Sequence, residues 1–279
     1  MIDKNIKEYL LPYIVNAAIR AGAAIMEIYN SSNKEHKSTT KKDINNANSA
    51  AQNAIKETLG PTRIPILSEE GREMLYEERQ NWEMFWLVDP LDGTVEFINR
   101  NNEFTVNIAL MSGGEALLGV IYVPYLKKLY IAGSGYGSYL CEGVEPDVNC
   151  NMNYAQIREN RTQLPLITES RERQIVAISR SHITPETLSH IETLRVTHPD
   201  LEVVEQGSSY KFCLLAEAVV DYYIRTSDTF EWDSAAGELI LSEAGGRTST
   251  LEADTQLAYN KKELLNPWFK CSSSVSKII

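Results

Sequence analysis

A chain of 279 residues, 43% of them hydrophobic, is long enough to bury one large core or two packed lobes, and two lobes are the expectation. Its formal net charge of −11 argues against a nucleic-acid polymer as partner, since phosphate backbones are held by clustered Lys and Arg; a small anion stays open if metal ions and a few local cations invert the field at one cleft. Cys141, Cys150, Cys213 and Cys271 show no CxxC and no companion His at zinc-finger distance, which argues against a disulfide framework or structural zinc and predicts free thiols.

Ile6, Leu10, Ile14, Ala17, Ala21, Ile25 and Ile28 recur at three- and four-residue steps, predicting one long amphipathic helix that the polar tract 30–42 ends. Polar and charged residues interrupt this and every other apolar run before the roughly 18 residues that cross a bilayer, so no transmembrane segment is expected. Mixed charge from the third residue and the lack of a small-residue cleavage site point to a cytoplasmic protein. Peripheral attachment to the inner membrane, and the choice between monomer and homodimer, stay open. Ile44, Ala47, Ala51, Ile55 and Leu59 predict a second helix, with Asp43 at its start and Gly60-Pro61 as its stop.

Short strand-like runs follow at 64–67, 85–88, 105–111, 118–123 and 129–132, and their alternation fits an antiparallel sheet packed on the two helices. After the polar, Asn-rich stretch 142–173 the rhythm changes. Strands are predicted at 175–179, 201–204 and 221–224, helices at 184–196, 209–218 and 234–244, the last stopped by Gly245-Gly246. The expected division is an N-terminal α+β lobe, 1–155, and a C-terminal α/β lobe, 156–279.

The segment Trp86-Leu87-Val88-Asp89-Pro90-Leu91-Asp92-Gly93-Thr94 is the most informative. An apolar strand delivers Asp89 at its end, Pro90 fixes a turn that brings Asp92 alongside, and Gly93 permits a conformation that exposes main-chain N–H groups. Two carboxylates so close repel unless a cation sits between them, and with no His or Cys nearby that cation is Mg²⁺ before Zn²⁺. A plain surface turn is the competing reading for the motif alone. Two further features favour the metal: Glu69 and Glu70 directly follow a buried strand, and Asp233 opens an apolar helix, although an acid there is by itself more often a cap.

Together, Asp89-Pro-Leu-Asp-Gly-Thr94 and Trp232-Asp-Ser-Ala-Ala-Gly237, about 140 residues apart, resemble the paired signature of the inositol monophosphatase superfamily over almost the whole chain. Ile178-Ser-Arg-Ser-His182 and Gly207-Ser-Ser-Tyr-Lys-Phe-Cys213 are similar to its CysQ-like 3'(2'),5'-bisphosphate nucleotidase branch. The resemblance implies a two-lobed, layered α-β-α-β-α sandwich, mixing α/β and α+β, of the sugar phosphatase type. It implies two to three Mg²⁺ ions: Glu69, Asp89 and the Leu91 carbonyl would hold the first, Asp89, Asp92 and Asp233 the second, and Glu69 would touch a loosely held third. Thr94 and Asp43 would form the dyad that takes the proton of the attacking water. On the residues alone, Asp43 reads as a helix cap and Thr94 as a turn hydroxyl; Glu70 is left beside the ligands without a role.

The same resemblance places the scissile phosphate against the Gly93 and Thr94 N–H groups and the helix start near Asp233, with Glu69, Leu91 and Asp92 also touching substrate. Ser179, Arg180, Ser181 and His182 lie past a strand end, Ser208, Ser209 and Lys211 at the next helix start, and Arg225 at the end of the following strand, where α/β sheets place ligands. These would hold the second phosphate and the base. Relatives carry a Ser-Pro-Val-Thr-x-Ala-Asp type segment where this chain has Ser38-Thr-Thr-Lys-Lys-Asp43, without the Pro and with two added cations. The implied reaction is hydrolysis of adenosine 3'(2'),5'-bisphosphate to AMP and phosphate, with 3'-phosphoadenylyl sulfate as a further substrate. An inositol or fructose phosphatase is the alternative within the fold, and a catalytically silent metal or nucleotide sensor the alternative outside it. Inhibition by Li⁺ is implied as well.

Overall fold

Apolar spacing builds the first layer. In the computed structural model, which describes residues 4–34 and 40–278, helix α1 spans Lys4–Lys34 and α2 spans Lys41–Leu59. Leu10, Ile14, Ala17, Ala21 and Ile25 of α1 meet Ile44, Ala47, Ala51 and Ile55 of α2 in one buried cluster. The start of α2 is set by a reciprocal cap: Asp43 N–H donates to Thr40 Oγ1 (3.3 Å), while Thr40 N–H donates to the Asp43 carboxylate (2.8 Å). Ser38 and Thr39 lie outside the described residues.

Among the described residues, Glu8–Ser31 within α1 is long and apolar enough, by length and composition, to cross a bilayer. Its apolar face is nevertheless committed to the core, with 67% of that window buried inside the fold.

The second layer is a seven-stranded sheet in simple sequence order, β1 (Ile66–Ser68), β2 (Met84–Asp92), β3 (Thr105–Ser112), β4 (Glu115–Val123), β5 (Lys128–Gly133), β6 (Gly137–Cys141) and β7 (Thr162–Gln163). All pairs are antiparallel except β1 with β2. The sheet was expected to pack on helices at one face, yet it is buried on both. Trp86 and Val88 of β2, with Val106, Ile108 and Leu110 of β3, face α1 and α2, whereas Phe85, Leu87, Ala109 and Met111 face the middle of the molecule. The alternation read in the sequence is therefore between two buried faces rather than between core and solvent.

Short helices α3 (Tyr76–Arg79), α4 (Thr94–Asn99) and α5 (Tyr154–Glu159) punctuate this half. The Asn-rich stretch before and around α5 lies across α1: Arg20 Nε donates to the Cys150 carbonyl (2.8 Å), and the Asn16 side chain bonds both backbone groups of Met152.

The third to fifth layers are the helices α7 (Tyr210–Ala216) and α8 (Glu231–Glu243), a second sheet, and α6 (Pro185–Thr197). The second sheet runs β11 (Arg247–Thr250), β12 (Phe269–Ser272), β10 (Tyr222–Arg225), β8 (Ile175–Ser179), β9 (Glu202–Gln206). Strands β9, β8 and β10 are parallel, and β12 joins antiparallel to β10 and β11. Small residues let α8 lie between the sheets: a Cβ on Gly119 would come within 3.0 Å of the Ala236 carbonyl oxygen, and one on Gly237 would strike the Phe212 ring at 2.5 Å. The result is the layered α-β-α-β-α sandwich expected. The four cysteines are buried free thiols, as their spacing predicted.

Candidate active site

Strand register assembles the acids. Because β1 runs parallel to β2 with its last residue, Ser68, opposite Val88, Glu69 follows at the level of Asp89, and its N–H donates to the Val88 carbonyl at 3.1 Å. Glu69 thus lands beside Asp89, and their carboxyl groups are within hydrogen-bonding reach. Asp89 pairs with Asn107 and Asp92 with Thr105, so β2 spends three steps where β3 spends two. That extra residue makes a bulge rather than the turn expected at Pro90, a position where the absent N–H costs no ladder bond. The bulge re-aims Asp92 to the same side as Asp89, and the Leu91 N–H donates to Asp89 Oδ1 (3.0 Å) while its side chain is buried in the core.

Gly93 then turns the chain into α4 with φ +90, and a Cβ there would press on the Glu103 carbonyl (3.1 Å) and Ser208 (3.2 Å). Only glycine fits this junction without strain. From the other half of the chain, Asp233 arrives in the first turn of α8, where its Oδ2 accepts the Phe230 N–H (2.8 Å). It is therefore a helix cap as well as a wall of the cleft.

Glu69, Asp89, Asp92, Gly93, Thr94, Asp233 and, opposite them, Ser179, His182, Ser208, Ser209, Lys211 and Arg225 line one cleft of about 240 Å³. Asp43 and Leu91 are not in that lining, although α2 does touch α4, whose first residue is Thr94. Arg180 and Ser181 were expected to contact substrate directly, yet they too stand outside the lining. Arg180 makes a two-pronged pair with Glu103 (2.9 and 2.8 Å), and Ser181 Oγ donates to Glu96 Oε1 (2.5 Å). Glu103 also accepts the Gly207 N–H (2.7 Å), so this pair ties the loops after β8 and β9 to the segment following α4. Glu70 is exposed and also outside the lining.

The electrostatics fall into two halves. Asp89 is 1% exposed, and loss of hydration, then the charges of Glu69, Asp92 and Asp233, raise its carboxyl well above the usual range. Asp233 is pushed up to about 7, first by desolvation and then by Asp92. Glu69 is raised too, by partial removal from water and by Asp92 and Glu70, against the lowering hydrogen bond to Asp89; as a whole residue it remains exposed. On the facing side, Lys211 is 3% exposed, with Nζ donating to the carbonyls of Ser208 (2.6 Å) and Gln206 (3.1 Å). Desolvation, then Arg225, lowers it to about 8. His182 is lowered by desolvation and by Arg225.

Four oxygen-donor side chains crowding one another, with no imidazole or thiolate among them, are the donor set of a hard divalent cation such as Mg²⁺. As they stand, no three of the described His, Cys, Asp or Glu side chains close around one point as metal ligands. The acids are instead held by protein donors: Asp92 Oδ2 accepts the Ser209 N–H (2.5 Å) and, more weakly, Asn107 Nδ2 (3.4 Å). Their mutual repulsion, written in the raised carboxyls, is what a cation would relieve, so the residues fit the group.

Sequence reasoning missed Glu96, Glu103, Asn107 and Phe230. Glu96 follows Thr94 by two residues, and a helix residue that close to a site motif was the available signal; Glu103 and Asn107 are set only by pairing across the fold.

A profile of the inositol monophosphatase family matches residues 7–270. The chain is 38% identical over 267 residues to the 3'(2'),5'-bisphosphate nucleotidase CysQ of Salmonella typhimurium, covering 94% of this chain and 98% of that one. It is 37% identical over 270 residues to the protein of the same name from Escherichia coli K12, covering 94% and 99%. Its fold superposes on the crystal structure of CysQ from Bacteroides thetaiotaomicron with a TM-score of 0.88 at 40% identity, over 98% of this chain and 99% of the other.

Proposed function

The chain belongs to the inositol monophosphatase family, whose enzymes typically use Mg²⁺, and from that premise we propose that it is a phosphomonoesterase of the CysQ type that converts adenosine 3'(2'),5'-bisphosphate to AMP and phosphate. One observation carries this: a single cleft sets crowded acids on one wall and, on the facing wall, a buried lysine and arginine with three serines and a histidine. The acids suit cations that accompany one phosphate, and Lys211 with Arg225 suits a second phosphate. A substrate with two phosphates answers both walls, whereas a monophosphorylated inositol would leave the buried cations without an anion.

Glu69, Asp89, Asp92, Asp233 and the Leu91 carbonyl would hold Mg²⁺, in two to three positions. When bound, Mg²⁺ lowers the pKa of a coordinated water and neutralises charge on entering and leaving oxygens. The chain's own groups do the rest. The Thr94 hydroxyl, at the start of α4, holds the attacking water and hands the proton demand to Asp43 at the start of α2. The Gly93 and Thr94 N–H groups receive the scissile phosphate, and the first turn of α8 adds a favourable dipole. Lys211 contributes a point charge, Arg225 a planar donor set, and Ser179, Ser208 and His182 hydroxyl and imidazole partners. 3'-Phosphoadenylyl sulfate, which presents the same 3'-phosphate, is a second substrate. The enzyme works in the cytoplasm.

Phosphate release from adenosine 3',5'-bisphosphate, inositol 1-phosphate and fructose 1,6-bisphosphate at equal concentration, with Mg²⁺, decides the matter. The nucleotide is expected to turn over fastest; faster release from either alternative overturns the assignment.

A further inference from the structure

The cleft is lined by four aromatic side chains, and three of them, Phe212, Tyr223 and Phe269, are 2%, 3% and 1% exposed and belong to the core. Phe230 is different. It is 40% exposed at the cleft edge, directly before α8, and its ring lies nearly parallel to Trp232, with centroids 5.1 Å apart and planes at 15°. Trp232 is partly buried against the central core, so it backs the phenyl ring and limits its rotation. Phe230 also forms an antiparallel bridge with Leu265, which sets the two side chains on the same face, and Leu265 is 41% exposed. Beyond Leu265 lies Trp268, 40% exposed, in a shallow depression of about 430 Å³ that shares Asp228 with the cleft. Phe230 and Leu265 thus form an exposed apolar step at the rim of the acid- and cation-lined interior, with Trp268 further out in a depression whose other lining includes Asp228, Thr250 and Glu252.

We propose that this step is the nucleobase subsite, with the ring of Phe230 as the stacking face for a purine. The inference rests on the nucleotide reading and deepens it. Three considerations lead here. The cleft volume of about 240 Å³ falls below the roughly 300–1,000 Å³ of sites that enclose a drug-sized ligand. A ligand whose phosphates sit among the acids and cations must therefore project its remaining part past the rim. At Phe230 and Leu265 the rim presents apolar side chains, among them a flat π surface, and every base has a π face that stacks on one. The ring is also pre-set by Trp232, so little freedom is lost on binding. Phe230 is thereby a specificity-determining residue: it separates a nucleoside bisphosphate from a bisphosphorylated sugar of equal charge.

The test uses the full chain with Mg²⁺ and two substrates, adenosine 3',5'-bisphosphate and abasic ribose 3,5-bisphosphate, with Phe230→Ala, Phe230→Leu and Phe230→Trp. Stacking on one aromatic face predicts that the ratio of kcat/KM for the nucleotide over that for the abasic compound drops about 10-fold in Phe230→Ala, through KM rather than kcat. Phe230→Leu keeps apolar contact with Trp232 without a flat ring, and should lose most of the same ratio; Phe230→Trp should preserve it. An unchanged ratio in both Phe230→Ala and Phe230→Leu overturns the subsite while leaving the nucleotidase reading standing. Wild-type enzyme that hydrolyses inositol 1-phosphate faster than either compound overturns the nucleotidase reading and the subsite with it.

Discussion

The cleft acids and the flanking Arg180–Glu103 pair are two charged regions of the same site with opposite electrostatic fates. Arg180 meets Glu103 at 2.8 Å, and Glu205 as well, so its charge is answered inside the protein. Glu69, Asp89, Asp92 and Asp233 crowd one another, with neutral N–H donors on Asp89, Asp92 and Asp233, and burial with mutual repulsion raises Asp89 and Asp233 toward the neutral form. Charges matched within the chain build the frame around a site; charges left crowding like charges show where a ligand of opposite sign belongs. Lys211 repeats the lesson with the sign reversed, a buried ammonium bonded to two carbonyls over the Tyr223 ring and lowered to about 8 by burial and then Arg225.

The largest effect is expected at Asp89, which the structure places at the centre of the acid cluster. Asp89→Asn should cost several kcal/mol of barrier, about a thousandfold in kcat, by removing the charge best placed to hold the cations. Its melting temperature, measured without metal, should equal or exceed that of the wild type, because a repelling charge is gone. A variant with wild-type turnover would break the comparison.

Next comes Lys211→Met, expected to raise KM for the bisphosphate nucleotide about 10- to 100-fold with a smaller change in kcat, as loss of one buried charged partner of a phosphate does. Removing a buried charge stabilises, while orphaning the Gln206 and Ser208 carbonyls destabilises, so thermal unfolding should move by a few degrees at most. The pH profile sharpens this: Lys211 releases its proton near 8, so wild-type KM should climb as pH rises through that value, and the climb should vanish in the variant. A KM that falls across that window in the wild type would contradict the assignment.

The smallest effect is predicted for Glu103→Gln. It halves the Arg180 pairing and weakens the tie to Gly207, so KM should rise about 3-fold while Glu103→Asp recovers part of the loss, checked by steady-state kinetics on both. An effect as large as that of Asp89→Asn would mean that Arg180 and Glu103 act on the substrate rather than on the frame.

Much of this was legible before any coordinates. Strand-end acids are written in local sequence, since Val88-Asp89 and Leu67-Ser68-Glu69 each follow an apolar run, and parallel pairing of β1 with β2 is all that is needed to join them. The helices α6, α7 and α8 and strands β8, β9 and β10 lie close to where periodicity put them. What was not legible depends on distant partners. Arg180 looked like a phosphate ligand because its neighbours are; that Glu103, 77 residues away, takes its guanidinium cannot be seen in a motif. Strands β11 and β12 were missed because Arg247–Thr250 and Phe269–Ser272 are short and largely polar, and they hold their place through antiparallel pairing, β12 to β10 and β11 to β12. The apolar length of α1 was underread for a related reason: isolated charges interrupt its sequence, while in three dimensions its small and branched residues form one continuous buried face.

Crystals soaked in Mn²⁺, a Mg²⁺ surrogate with anomalous scattering, give the most direct test of the acid cluster as a cation site. Anomalous peaks should appear within about 2–2.5 Å of oxygens from Glu69, Asp89, Asp92 and Asp233, with Asp89 shared between neighbouring peaks. Fully active enzyme whose crystals bind Mn²⁺ only away from these four carboxylates would contradict the account.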